Sequence, residues 1–170
     1  MTLEELNTAP ESEAAGYFEA CCGSSKWVQG MLAKRPFHST DDLLRASDSV
    51  WATTGPADWL EAFAHHPRIG DRAPSERQGS VSARWSIGEQ VSVADAAGTV
   101  QDQLAEVNRE YEDRFGHIYI VCATGKTPEE MLEIARGRMS NDPEVEMKIA
   151  AEEQRKITQL RLLKLIGGAT

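Results

Sequence analysis

Thr127-Pro128-Glu129-Glu130 packs several helix-start signals together, and marks of this kind recur along the whole chain. Threonine can cap the exposed N–H groups of a first turn, proline suits the first helical position, and acids there meet the positive end of the helix dipole. Thr2-Leu3-Glu4-Glu5 fits a capping box. Ser39-Thr40-Asp41-Asp42 opens a segment with Leu43, Leu44, Val50 and Trp51 at helical spacing. Asp142-Pro143-Glu144 opens a long helix that runs to Ile166, where Gly167-Gly168 stops it. Shorter helices are predicted over Glu11–Cys22 and Lys26–Ala33, the second ending ahead of Pro36. Gly55-Pro56 breaks one helix and starts the next, which carries Trp59, Leu60 and Phe63. Ser92-Val93-Ala94-Asp95 can cap a helix through Val100, Leu104, Val107 and Tyr111, ended by Gly116. Against these stands a single β-branched run, His117 to Cys122, with no partner strand in the sequence. It reads as an extended buried segment or a helix start. The pattern predicts an all-α, single-domain helical bundle over residues 1–170. About eight helices are expected, with a long polar loop around residues 67–84.

That loop is unusual in its charge. Arg68, Arg72, Arg77 and Arg84 fall within it and no lysine does, although the chain carries a formal net charge of -9. About 15 residues without periodicity in a compact domain are usually functional or disordered. A cationic loop next to His65-His66-Pro67 suggests a site for a small anion, because the planar arginine fork matches carboxylate geometry. The acidic balance of the whole chain argues against nucleic acid as a partner. No stretch reaches the roughly 18 apolar residues of a membrane span. Met1-Thr2-Leu3-Glu4-Glu5 lacks the basic start and apolar core of a signal peptide. Cys21, Cys22 and Cys122 show no metal-type spacing and read as thiols in a reducing cytoplasm.

Three places can carry chemistry. His66 closes an apolar-periodic segment ahead of Pro67, and its type of side chain gives or takes a proton near neutrality. Its neighbour His65 cannot point the same way, and adjacent histidines lack the i, i+3 or i, i+4 spacing of helical metal ligands, so no metal is expected. Ser86-Ile87-Gly88-Glu89-Gln90 reads as a capping box, and the same first turn can also favour an anionic ligand. Arg161 sits in Leu160-Arg161-Leu162-Leu163-Lys164-Leu165-Ile166, which is apolar on nearly every side. A guanidinium buried there needs a partner, either a structural carboxylate or a carboxylate or carbonyl of a substrate.

Taken together, these residues resemble the 2-oxo-4-hydroxy-4-carboxy-5-ureidoimidazoline (OHCU) decarboxylases of urate breakdown. The matching elements are His66-Pro67-Arg68-Ile69-Gly70, Trp85-Ser86 with Glu89-Gln90, Phe115-Gly116 with Ile120-Val121-Cys122-Ala123, Arg136 within Ile134–Arg138, and Leu160-Arg161-Leu162. They occur in the family's order with similar spacing. The family usually has aromatic residues near positions 117 and 119, where this chain has His117 and Tyr119. The resemblance implies an all-α homodimer that needs no metal or organic cofactor. It also implies decarboxylation of OHCU to (S)-allantoin. By the same token His66 and Glu89 are the expected catalytic residues. Pro67, Ser86, Gln90, Arg161 and the backbone of Val121, Cys122 and Ala123 are the expected substrate contacts.

The chemistry agrees with that implication. Losing carbon dioxide leaves an electron pair, and a neighbouring ring C=N can accept it without a cofactor sink. Two other readings remain open on the residues alone. One is a hydrolase of ureido compounds with Glu89 as base, for which metal-type histidine spacing is missing. The other is a non-enzymatic helical module that docks an acidic partner on the arginine loop.

Overall fold

The computed structural model describes residues 1–69, Trp85 and 98–167. Among them are eight helices and no strand: α1 (Leu3–Thr8), α2 (Glu11–Cys21), α3 (Ser25–Ala33), α4 (Thr40–Trp51), α5 (Pro56–Phe63), α6 (Gly98–Phe115), α7 (Pro128–Arg138) and α8 (Pro143–Ile166). The all-α class therefore holds. No described helix is long and apolar enough to cross a membrane. The chain divides into two compact units, one of residues 1–62 and 155–170 and one of residues 63–154.

Most helix starts sit where their side chains dictate. Thr2 and Thr127 each accept from the backbone N–H three residues on, and Glu5 and Glu130 bond back to complete two capping boxes. Ser39 caps α4 by accepting from the Asp42 N–H at 3.1 Å. Ser24 caps α3 through the Trp27 N–H, which moves the start one residue ahead of the expected Lys26. Gly116 ends α6 with φ +74°, and its N–H bonds the Glu112 carbonyl at 2.8 Å, the left-handed stop that glycine accepts without a Cβ penalty. The expected cap at Ser92–Asp95, most of the 67–84 loop and Gly168 lie outside the described residues.

In the first unit, Phe18 meets Trp27 edge-on at 5.9 Å and Phe37 at 6.2 Å. Leu6, Met31 and Leu43 are fully buried. A methyl group on Gly30 would overlap the Val50 side chain, so α3 and α4 touch at a glycine. The C-terminal part of α8 is tied to α4 by Arg155 on Asp48 at 3.0 Å and by the Gln159 amide on Asp48 at 2.7 Å and on the Leu44 carbonyl at 3.0 Å. In the second unit, α6 and α7 enclose Leu104, Val107, Tyr111, Met131 and Ala135, together with Ile69, Tyr119, Val121 and Ala123. The β-branched run 117–123 belongs to this interior: it is almost wholly buried, and it is neither helix nor strand.

Candidate active site

His66 lies in the turn that follows α5, its N–H on the Phe63 carbonyl at 3.0 Å. Pro67 forbids a further helical turn at this point. The next residues are anchored in two ways. The Asn108 amide donates to the Ile69 carbonyl at 2.8 Å, and Arg68 forks onto Glu112 through Nε and Nη2, both at 2.8 Å. Arg68 thus directs its fork at a carboxylate of its own chain, which corrects the expectation that it serves an anionic ligand. Both partners are partly open to solvent, so the pair contributes little to stability. Arg72, Arg77 and Arg84 lie outside the described residues, as do Ser86, Glu89 and Gln90.

The His66 ring is held from α8. Its Nε2 is 2.8 Å from Oε1 of Gln154, a side chain with no exposed surface. The adjacent Glu153 accepts the Cys122 backbone N–H at 2.7 Å, and Lys126 Nζ donates to the Cys122 carbonyl at 2.8 Å. Consecutive residues of one helix therefore fix two elements that the sequence singled out, the histidine and the 121–123 backbone. The Cys122 N–H and carbonyl are thus both bonded within the chain.

A buried ionic cluster supports the same segment. Arg138 bonds the Ile120 carbonyl at 2.8 Å through Nη1 and Glu146 at 2.7 Å through Nε. Glu146 also accepts from the Tyr111 hydroxyl and from the Asn141 amide at 2.8 Å. The guanidinium lies 4.9 Å from the centre of the Tyr119 ring. Burial pulls Arg138 down, but Glu146 and the two tyrosines outweigh it and hold it above its ordinary value. Burial, then the bond to Glu146, push the Tyr111 phenol up, so it stays a donor at neutral pH. His117 packs on Phe63 at 5.2 Å, Tyr111 at 5.5 Å and Phe115 at 6.3 Å. Burial lowers its pKa below 6.5 and outweighs the bond to the Ile118 carbonyl, which acts to raise it, so the ring is neutral at pH 7 and serves as an aromatic.

Arg161 belongs to the other unit and is buried as expected. Its Nη1 donates to the Ala20 carbonyl at 3.4 Å. The surrounding segment is not buried on every side: Leu163 is 41% exposed. In the same unit Cys22 is fully buried, and burial pushes its thiol up to about 11, with Thr158 and Arg161 pulling the other way. Such a thiol is inert at neutral pH.

Gln154, Glu153, Arg138 and Glu146 escaped the sequence reading. A signal was present on α8. Glu146, Ala150, Gln154, Ile157, Arg161 and Leu165 follow one another at helical spacing, and all are buried. Polar residues on an otherwise apolar stripe mark a helix that positions something. Among the described residues, no three His, Cys, Asp or Glu side chains gather as a metal-binding group.

A family model described as OHCU decarboxylase matches residues 7–163. The chain is 42% identical over 151 residues to the "Uric acid degradation bifunctional protein TTL" of Arabidopsis thaliana, with 88% of this chain covered. It spans only 46% of that protein's length, about half of this curated relative. It is 32% identical over 137 residues to the 2-oxo-4-hydroxy-4-carboxy-5-ureidoimidazoline decarboxylase of Amia calva, covering 78% of this chain and 75% of that protein. The crystal structure of an OHCU decarboxylase in the presence of (S)-allantoin superposes with a TM-score of 0.77 at 33% identity, over 94% of this chain and 100% of the other.

Proposed function

This chain belongs to the OHCU decarboxylase family, and on that premise we propose that it is a carboxy-lyase of urate catabolism, converting OHCU to (S)-allantoin. The observation that carries the reading is the family match over residues 7–163, which runs through both units and takes in every residue singled out from His66 to Arg161. On this reading residues 1–170 act as one functional domain.

In the proposed reaction the bond from the ring carbon to the carboxylate breaks, and carbon dioxide leaves. The electron pair flows into the adjacent ring C=N, which supplies the sink that a cofactor would otherwise provide. A proton delivered to one face then sets the stereocentre. The protein's tasks are orientation, exclusion of water and that proton. His66 is the acid/base and Glu89 its catalytic partner; Pro67, Ser86 and Gln90 contact the substrate. The backbone of Val121, Cys122 and Ala123 meets the flat heterocycle. Arg161 binds a substrate carboxylate or carbonyl. The protein works as a homodimer in the cytoplasm, a compartment in keeping with three buried cysteines outside any disulfide.

The test is a coupled reaction. Urate, the upstream oxidase and hydrolase, and this protein are mixed and followed by circular dichroism. Rapid appearance of a single allantoin enantiomer is expected, unaffected by strong chelators. The reading fails if OHCU decays at its spontaneous rate to optically inactive product.

A further inference from the structure

We propose that Gln154 is a positioning residue for His66, holding its ring so that Nε2 carries the proton and the basic lone pair sits on Nδ1. The inference rests on the functional reading above for the importance of His66, but its geometric content stands on its own.

The argument begins with the two atoms in contact. A glutamine Oε1 only accepts hydrogen bonds, so at 2.8 Å from Nε2 the ring nitrogen must be the donor. In a neutral imidazole one nitrogen donates and the other accepts, so the bond places the lone pair on Nδ1. Gln154 has no exposed surface, and it lies on α8 between Glu153 and Arg155, which make bonds of their own to the Cys122 N–H and to Asp48. A buried amide on a continuous helix keeps its position, whereas the His66 turn after α5 is bounded by a proline and has no helix of its own.

The chemical character of the holder also matters. A carboxylate at this place would also favour the charged imidazolium. A glutamine orients the ring and selects the tautomer while remaining neutral, so it does not bias the ring toward its charged form. The same helix turn fixes the 121–123 backbone through Glu153, so one rigid element sets both the proton carrier and the segment proposed to face the ring.

The test uses the full chain with Gln154→Met, which keeps the volume and removes the acceptor, and Gln154→Glu, which keeps an acceptor. Outer-shell orienting groups typically contribute about ten- to hundredfold. We expect kcat to fall by about that factor in Gln154→Met with KM changed less than about twofold. Gln154→Glu should retain more kcat than Gln154→Met. In 15N-histidine spectra, identified by the loss of one signal set in His66→Asn, wild type should show a protonated Nε2 and an unprotonated Nδ1. Gln154→Met should lose that pattern. The inference is overturned if the tautomer pattern is unchanged in Gln154→Met, or if the pattern changes and kcat does not. An active His66→Asn would instead overturn the functional reading, while the spectra still decide whether Gln154 holds the ring.

Discussion

The two units of this chain solve the problem of an interior differently. Residues 1–62 with 155–167 are largely helical, and their backbone groups are satisfied inside the helices and at caps such as Thr2, Ser24 and Ser39. Their interior can then be packed with Leu6, Phe18, Trp27, Met31 and Leu43. Residues 63–154 bury a stretch, 117–123, that has neither helix nor ladder to bond its peptide groups. Buried N–H and C=O groups must still be paired. Here the partners are side chains drawn inward: Arg138 for the Ile120 carbonyl, Glu153 for the Cys122 N–H, Lys126 for the Cys122 carbonyl. The buried Arg138 charge needs a partner in turn, and Glu146, itself bonded by the Tyr111 hydroxyl, supplies it. The first unit thus satisfies its backbone locally and adds long-range side-chain bonds such as Arg155 on Asp48 between helices, whereas the second needs a long-range polar network to pair the backbone itself. An irregular backbone held this way can present peptide groups to a ligand, which a closed helix cannot.

The largest effect should come from breaking that network. Glu146→Gln leaves Arg138 buried with its charge uncompensated, and losses of about 3–5 kcal/mol are typical for such changes. The double variant Arg138→Met with Glu146→Leu removes both charges and should recover most of the lost stability in urea denaturation. It should not recover activity, because nothing then holds the Ile120 carbonyl. If the double variant is as active as wild type, the network is scaffold and the contrast between the units loses its functional meaning.

Arg161 sharpens the comparison, since it is a buried cation in the unit otherwise described by packing. Arg161→Lys keeps the charge and loses the fork. A charged hydrogen bond is worth roughly 1.5–3 kcal/mol, so kcat/KM should fall by about ten- to hundredfold with the protein still folded. Loss of melting temperature with intact activity per folded molecule would return Arg161 to a structural role. In the same unit, Gly30→Ala should cost about 1–3 kcal/mol by overpacking, because the new methyl meets Val50. Turnover per folded molecule should not change, and thermal melts beside kinetics separate the two.

What could be read in advance follows the same division. Capping is a contact between residues three apart, so Thr2 with Glu5 and Thr127 with Glu130 announced their helices in the sequence itself. The run at 117–123 betrayed its burial through composition. Its partners did not, for Glu146 is 35 residues from Tyr111 and Gln154 is 88 from His66. No local pattern links such pairs, and an arginine at 68 looks the same whether its fork meets a ligand or Glu112.

The smallest predicted effect concerns pH and His117. Burial disfavours its charged form, so its folded pKa lies below the ordinary 6.5. The groups around it are the rings of Phe63, Tyr111 and Phe115, the Ile118 carbonyl, and the charges of Glu146 and Arg138, which act in opposite directions. As pH falls below 6.5 the unfolded chain binds a proton that the folded chain still refuses. Stability is therefore complete above that pH and declines as pH drops toward the folded pKa, beyond which this residue adds no further slope. His117→Phe keeps an aromatic ring in the same cage and removes the titration. At neutral pH it should lie near wild type, the loss of the Ile118 bond at 3.0 Å being set against a better apolar fit. In acid it should be the more stable of the two, with a flatter dependence of unfolding free energy on pH between 6.5 and 5. Parallel slopes for the two proteins over that range would mean that His117 titrates normally and that its neighbours do not treat it as an aromatic ring.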